Sequence, residues 1–165
     1  MTDASLLHPS VREVLVALGL EFEVMACDPA LADTAAFVEA YGVPIERSAN
    51  TIVVASKGAE PTYVACVVLA TTSLDVNRVV RREMGVRKAS FAAPDPVRAL
   101  TGMEIGGVTP FGLPDDLPVL VDARVMQPPW IVLGGGNRSS KLRLAPAALR
   151  RLATVRVIED LAFVR

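Results

Sequence analysis

Apolar positions recur in short runs along the chain, and their spacing changes repeatedly. After His8-Pro9-Ser10, the residues Val11, Val14, Leu15 and Leu18 fall on one helical face, and Gly19 stops that helix. Residues 21–25 alternate as a short strand. Asp33 or Thr34 can cap a second helix through Ala40, with Phe37 and Tyr41 one turn apart and Gly42 as its stop. Residues 51–55 are rich in β-branched residues, and 62–69 read as a second strand. With Lys57-Gly58 between them they predict a hairpin. Ser73 then caps a predicted helix through Met84, stopped by Gly85, whose buried face is Val76, Val79 and Val80. Residues 87–91 are extended. Asp95-Pro96 reads as a cap followed by the first residue of a short helix ending near Leu100. Beyond a glycine-rich stretch, 118–122, 130–133 and 141–144 are strand candidates. A last helix over 146–152 and an edge strand over 155–158 complete the pattern.

Strands outnumber helices and several are consecutive, which predicts an α+β domain with a mixed, strongly curved sheet and helices packed around it. A chain of 165 residues suits one domain, 1–165, and is long enough to bury a substantial core. It is 52% hydrophobic, with a mean hydropathy of +0.41. No apolar run reaches the roughly 20 residues that span a bilayer. Residues 1–7 lack the basic start and apolar centre of a signal peptide. No membrane partner is expected, and the expected location is the cytoplasm.

Seventeen basic against 18 acidic residues leave a net charge of −1, so no global field draws in nucleic acid. An RNA contact must come from a local patch, and no DNA partner is expected. Cys27 and Cys66 stand far apart and outside any CxxC pattern, in keeping with reduced thiols. His8 is the single histidine, which argues against a histidine-built metal site and a Ser-His-Asp triad. No metal or organic cofactor is implied.

Residues 101–112, Thr-Gly-Met-Glu-Ile-Gly-Gly-Val-Thr-Pro-Phe-Gly, hold four glycines (102, 106, 107, 112) and Pro110 among apolar residues. Two readings are open. One is a tight structural turn. In the other, backbone N–H groups at Gly106 and Gly107 face a cavity and hold a carbonyl or a developing oxyanion. Thr109 can add a hydroxyl to such a site or stabilise the turn.

This loop also lies in a recognisable order of segments. Ser48-Ala49-Asn50-Thr51-Ile52-Val53-Val54, Ser73-Leu74-Asp75-Val76-Asn77 and Val86-Arg87-Lys88-Ala89 precede it. Leu117-Pro118-Val119-Leu120-Val121-Asp122 and Val132-Leu133-Gly134-Gly135-Gly136 follow it. From about Ser10 to Leu152 the chain resembles the YbaK/EbsC/ProX family of freestanding aminoacyl-tRNA editing domains, which also occur within some prolyl-tRNA synthetases. The resemblance implies a barrel-like sheet and hydrolysis, in trans, of the ester of a tRNA mischarged with a small amino acid of the Cys, Ala or Ser type. It implies that no acid–base triad works there. The substrate's own groups or a positioned water attack while backbone amides hold the carbonyl. The partner is then the acceptor end of tRNA, with a synthetase as a second candidate.

One departure stands out. Asn50 occupies the position where the family carries a lysine, and a carboxamide cannot supply a cation. The resemblance makes Asn50, Gly106 and Gly107 catalytic candidates. Thr109, Asp122, Gly134, Gly135 and Gly136 become candidates for substrate binding. Asp122, at a strand end, reads as a general base, a hydrogen-bond anchor or a solvated terminus, with anchoring the favoured reading. Arg138 and Lys141, after the triple glycine, can reach phosphate or stay solvated. Arg78, Arg81, Arg82, Arg87 and Lys88 form the one basic cluster, either a solvated helix face or a seat for the acceptor stem. Lys57, at the hairpin turn, is a remote substitute for the missing lysine. Phe91, Phe111 and Trp130 read as core or pocket wall. The alternative to catalysis is a binding protein on the same fold, holding aminoacyl-tRNA, a synthetase or an amino-acid-like ligand without turnover.

Overall fold

The computed structural model describes residues 3–165; Met1 and Thr2, and with them the start of the 1–7 stretch, lie outside the described residues. Helix α1 (Pro9–Ala17) begins where His8 Nδ1 accepts the Ser10 N–H, so the single histidine serves as a helix cap. Strand β1 (Glu23–Ala26) leads to α2 (Thr34–Tyr41), where Phe37 and Tyr41 stack at 5.1 Å. The expected hairpin forms from β2 (Ala49–Ser56) and β3 (Tyr63–Leu69), which pair antiparallel.

Two elements near residue 73 differ from expectation. Ser73 lies in a strand, β4 (Thr72–Leu74), not at a helix cap. The helix starts after Asp75, whose carboxylate accepts the Arg78 N–H. Its first turn is π-helical (Val76–Val80) and continues as α3 (Arg81–Met84). The reason is long-range: β4 pairs with a C-terminal strand that local pattern does not reveal. After β5 (Ala89–Phe91), α4 (Pro94–Thr101) starts one residue before Asp95, because Pro94 takes the first helical position. Strands β6 (Val119–Asp122), β7 (Ile131–Gly134) and β8 (Ser140–Leu144) follow. The expected last helix is a 3₁₀ stretch, Pro146–Arg151. Then come β9 (Val155–Ile158) and the unexpected β10 (Ala162–Val164), the partner of β4.

The architecture is mixed α+β, but its strands make three open sheets, not one barrel-like sheet. A five-stranded sheet runs β5-β2-β3-β6-β9, with β6 parallel to both β3 and β9. The expected edge position of β9 holds. A second sheet runs β1-β8-β7, and β10-β4 is a two-stranded ribbon. The Ser48–Val132 bridge joins the two larger sheets at one point only. Closure fails because the chain leaves β6 through a 3₁₀ turn before β7 and starts a separate sheet there.

The central strand β3 is buried on both faces, as its continuous apolar run requires. Ala65 and Val67 face a core shared with α1, β7, β8 and Phe111. Val64, Cys66 and Val68 face a second core with Val76, Val79, Val80 and Leu161. Both cysteines are free and buried, and burial pushes the Cys66 thiol up to about 12. Phe111 anchors the glycine-rich loop in the first core and is fully buried. Its truncation leaves a cavity there: Phe111→Ala is expected to lower stability by about 3–5 kcal/mol, read from the urea midpoint.

Candidate functional site

A cavity of about 280 Å³ opens between β2, the entry to α2, the glycine loop and the β7-β8 hairpin. Asn50 contributes from β2, Gly106 and Val108 from the loop, Gly134 from the end of β7, and Lys141 from β8. Phe91, on edge strand β5, forms part of the rim and is largely exposed. Of the residues that the sequence singles out, Asn50, Gly106, Gly134 and Lys141 meet here.

Asn50 is half-buried, and its Oδ1 accepts the Thr34 hydroxyl at 2.6 Å. This bond ties β2 to the first turn of α2 and leaves the Asn50 amide nitrogen without a partner among the described residues. Gly106 has φ +90, a conformation that excludes most side chains. Its carbonyl accepts from Lys141 at 3.2 Å, and no described acceptor uses its N–H. Gly107 plays a different part. Its N–H donates to the Glu104 carbonyl at 2.9 Å, so it is unavailable to an oxyanion. A Cβ on Gly107 would overlap the backbone of Asn137. Its lack of a side chain lets two stretches of backbone meet.

Several other expected site residues sit away from the cavity. Thr109 is fully buried, its hydroxyl has no described partner, and it is not part of the cavity wall. Asp122 is also fully buried. Arg124 pairs with it at 3.3 Å and also holds Asp160 and the Ala162 carbonyl, so Asp122 anchors β10. Burial raises the Asp122 carboxyl above its ordinary range, against the lowering pull of Arg124. The Gly135 carbonyl accepts the His8 N–H, and the Gly136 carbonyl accepts the Glu104 N–H. These two glycines brace the loop from behind.

The basic residues divide similarly. Arg138 is an internal clip. Its guanidinium donates to the Pro29 and Ile105 carbonyls, each at 3.0 Å, and pairs with Asp33 at 3.2 Å. Arg81 donates to the Asn77 and Arg87 carbonyls. Arg78 pairs with Asp75, and Arg82 lies near Glu83, yet both stay largely exposed, as do Arg87 and Lys88. Lys57 is exposed at the hairpin turn and does not line the cavity. Trp130 is half-buried: it packs against the Cys27, Phe37 and Val132 cluster and carries two guanidiniums on its ring, Arg47 at 4.7 Å and Arg143 at 3.9 Å, away from the cavity.

Lys141 is the residue whose setting local sequence hid. Its side chain is buried, with Nζ 2.6 Å from the Ala32 carbonyl and 5.1 Å from the Phe37 ring centre. Burial pushes the ammonium below its ordinary range, and the positive Arg138 adds to that. The Cys27 thiol and the Asp33 carboxylate oppose it. Period-2 alternation puts Lys141 opposite Leu142 and Leu144, but nothing local shows that α2 covers this second face too.

This geometry defines a small pocket of backbone carbonyls and amides, one carboxamide and one buried ammonium on an α+β scaffold. The model for the aminoacyl-tRNA editing domain matches residues 28–152, and the chain belongs to that family. It is 29% identical over 151 residues to the uncharacterized protein YwhH of Bacillus subtilis (strain 168), covering 92% of this chain and 94% of that protein. Its fold resembles a crystal structure described as a candidate trans-editing enzyme for prolyl-tRNA synthetase. There the TM-score is 0.78 at 25% identity, over 93% of this chain and 97% of the other. It also resembles hypothetical protein APE2540, with a TM-score of 0.82 at 24% identity over 93% and 99% of the two chains. Among the described residues, no helix is long and apolar enough to cross a membrane.

Two outcomes follow from the packing. Gly107→Ala forces backbone against backbone and is expected to cost about 1–3 kcal/mol, visible as a lower melting temperature. Lys141 is held below its ordinary range in the folded chain, whereas the unfolded chain keeps it near about 10.4. Between those values the unfolded chain binds more protons, so this residue's contribution to stability rises with pH. Lys141→Met is expected to remove that rise, read as the change in urea midpoint between about pH 8 and about pH 10.

Proposed function

We propose that the protein hydrolyses the ester between a small amino acid, of the Cys, Ala or Ser type, and the 3′ end of tRNA. The observation that carries this reading is the cavity of about 280 Å³ walled by Asn50 and the Gly106 loop, in a chain of the editing-domain family. That volume is at the small end for ligand pockets and suits an acyl group better than a whole nucleotide. A water oxygen attacks the acyl carbon and the ester C–O bond breaks. One water proton ends on the ribose oxygen, the other is released to solvent, and the amino acid leaves as its carboxylate. The protein contributes positioning. The free Gly106 N–H is the donor available to the carbonyl oxygen, and the Asn50 carboxamide, held by Thr34, orients the acyl group. The exposed Arg78, Arg82, Arg87 and Lys88, beside β5 and the Phe91 rim, give the acceptor stem a cationic seat.

The uncharged Asn50 favours one competing reading, a protein that binds an aminoacyl-tRNA or a synthetase without turning the ester over. Deacylation of tRNAs charged with Cys, Ala, Ser, Pro and Thr separates the two. One of the small amino acids is expected to be released well above the spontaneous rate. Gly106→Ala, which drives a Cβ into Arg138, is expected to lower that rate about 10²–10³-fold while the chain stays folded. Asn50→Ala should lower it by a smaller factor. If no charged tRNA is cleared while tRNA still binds, the hydrolytic reading fails and the binding reading replaces it.

A further inference from the structure

The cavity holds a buried lysine that no carboxylate contacts, although Asp33 also lines it. Lys141 is only 6% exposed, and it forms no ion pair among the described residues. Asp33, the one carboxylate whose field reaches it, is engaged by Arg138 at 3.2 Å. An ammonium has three N–H donors. Two go to the neutral carbonyls of Ala32 and Gly106, at 2.6 and 3.2 Å. Among the described residues no acceptor takes the third. Lys141 and both carbonyl partners belong to residues that line the cavity. A buried cation held by two carbonyls and the face of Phe37 is incompletely compensated. In a cleft, that condition marks a place where a ligand supplies the missing negative charge.

We propose that Lys141 is a catalytic residue: its third N–H donates to the acyl carbonyl oxygen of the bound ester and stabilises the negative charge that forms there. This rests on the pocket being an ester-hydrolysing site. As the water oxygen bonds to the acyl carbon, the carbonyl electron pair moves onto the oxygen facing Lys141. When the tetrahedral species collapses, the ribose oxygen departs and takes the proton given up by the water. Lys141 keeps its protons throughout. The same charge repels the substrate's α-ammonium, so the acyl group binds with its amino end turned from β8 toward β2. There the Asn50 Oδ1 retains a second lone pair. Gly106 and Lys141 then act on one oxygen from adjacent positions, because the lysine itself holds the Gly106 carbonyl.

The test compares two adenosine conjugates on the full chain. One carries alanine on a 3′-amide. The other replaces that amide with an anionic, tetrahedral phosphonamidate. The wild type is expected to prefer the anionic conjugate by about tenfold or more, and Lys141→Met to lose that preference while affinity for the amide changes little. In deacylation, Lys141→Met is expected to lower kcat about 10²-fold with KM nearly unchanged, a split that a merely structural clamp would not give. Selective NMR of the lysine Nζ in the wild type gives a measurement independent of the variant's folding. The Lys141 signal must move, and its titration must shift upward, when the phosphonamidate is added. An unmoved signal, or an anion preference that survives in Lys141→Met, overturns the assignment and leaves the hydrolytic reading standing. If the wild type binds neither conjugate, both fall.

Discussion

Two glycine segments meet backbone to backbone, and the candidate site depends on that contact. The Gly136 N–H donates to the Gly107 carbonyl at 2.7 Å, and a Cβ on Gly134 would lie 2.5 Å from that same oxygen. Only bare backbone fits on both sides. This contact seats the 101–112 loop on the β7-β8 hairpin. Once seated, the loop presents the Ile105 carbonyl to Arg138 and the Gly106 carbonyl to Lys141. Both side chains then reach across to the 29–33 segment, at Pro29 and Ala32, and so fix the entry to α2. Loop, hairpin and helix entry form one packed unit whose inner surface is the cavity.

Charge is buried in two different ways in this fold. Around Asp122 the arrangement is compensated: Arg124 joins its carboxylate to Asp160 and to the Ala162 carbonyl, and the result is a fastening for β10. Around Lys141 the arrangement is left open, with carbonyls in place of carboxylates and the available Asp33 taken by Arg138. A satisfied network adds rigidity. An incompletely satisfied one in a cavity retains capacity for a ligand. The anchoring reading of Asp122 fits its network, whereas Lys141, expected to reach phosphate or stay solvated, is buried.

Much of the element order follows from local chemistry. The 3.6-residue face of α1, the β-branched hairpin strands and the glycine stops at 19, 42 and 85 all carry their own signals, because each depends on neighbours within a turn or two. The segment order also marks the family, and it placed Asn50, Gly106 and Gly134 in one pocket. The 72–74 strand was illegible for the opposite reason. Ser73 is a good cap locally, but its backbone pairs with Phe163, ninety residues away. Sheet closure is likewise a matter of long-range pairing, and the two main sheets pair only through the Ser48–Val132 bridge.

The sequence by itself determined which stretches form strands and helices, where backbone must approach backbone, and which family the chain resembles, since those rest on side-chain period and on the absence of Cβ atoms. The tertiary structure decided which of the candidate polar groups face the cavity and which are spent on internal partners. Gly106 and Gly107 are neighbours in sequence, yet one offers an unused N–H and the other spends its own on Glu104. Lys141 and Lys57 are equally polar in sequence, yet one is buried under α2 and the other is solvated. Burial and hydrogen-bond partnership are set by segments far apart along the chain, and the chemistry of a lysine depends on both.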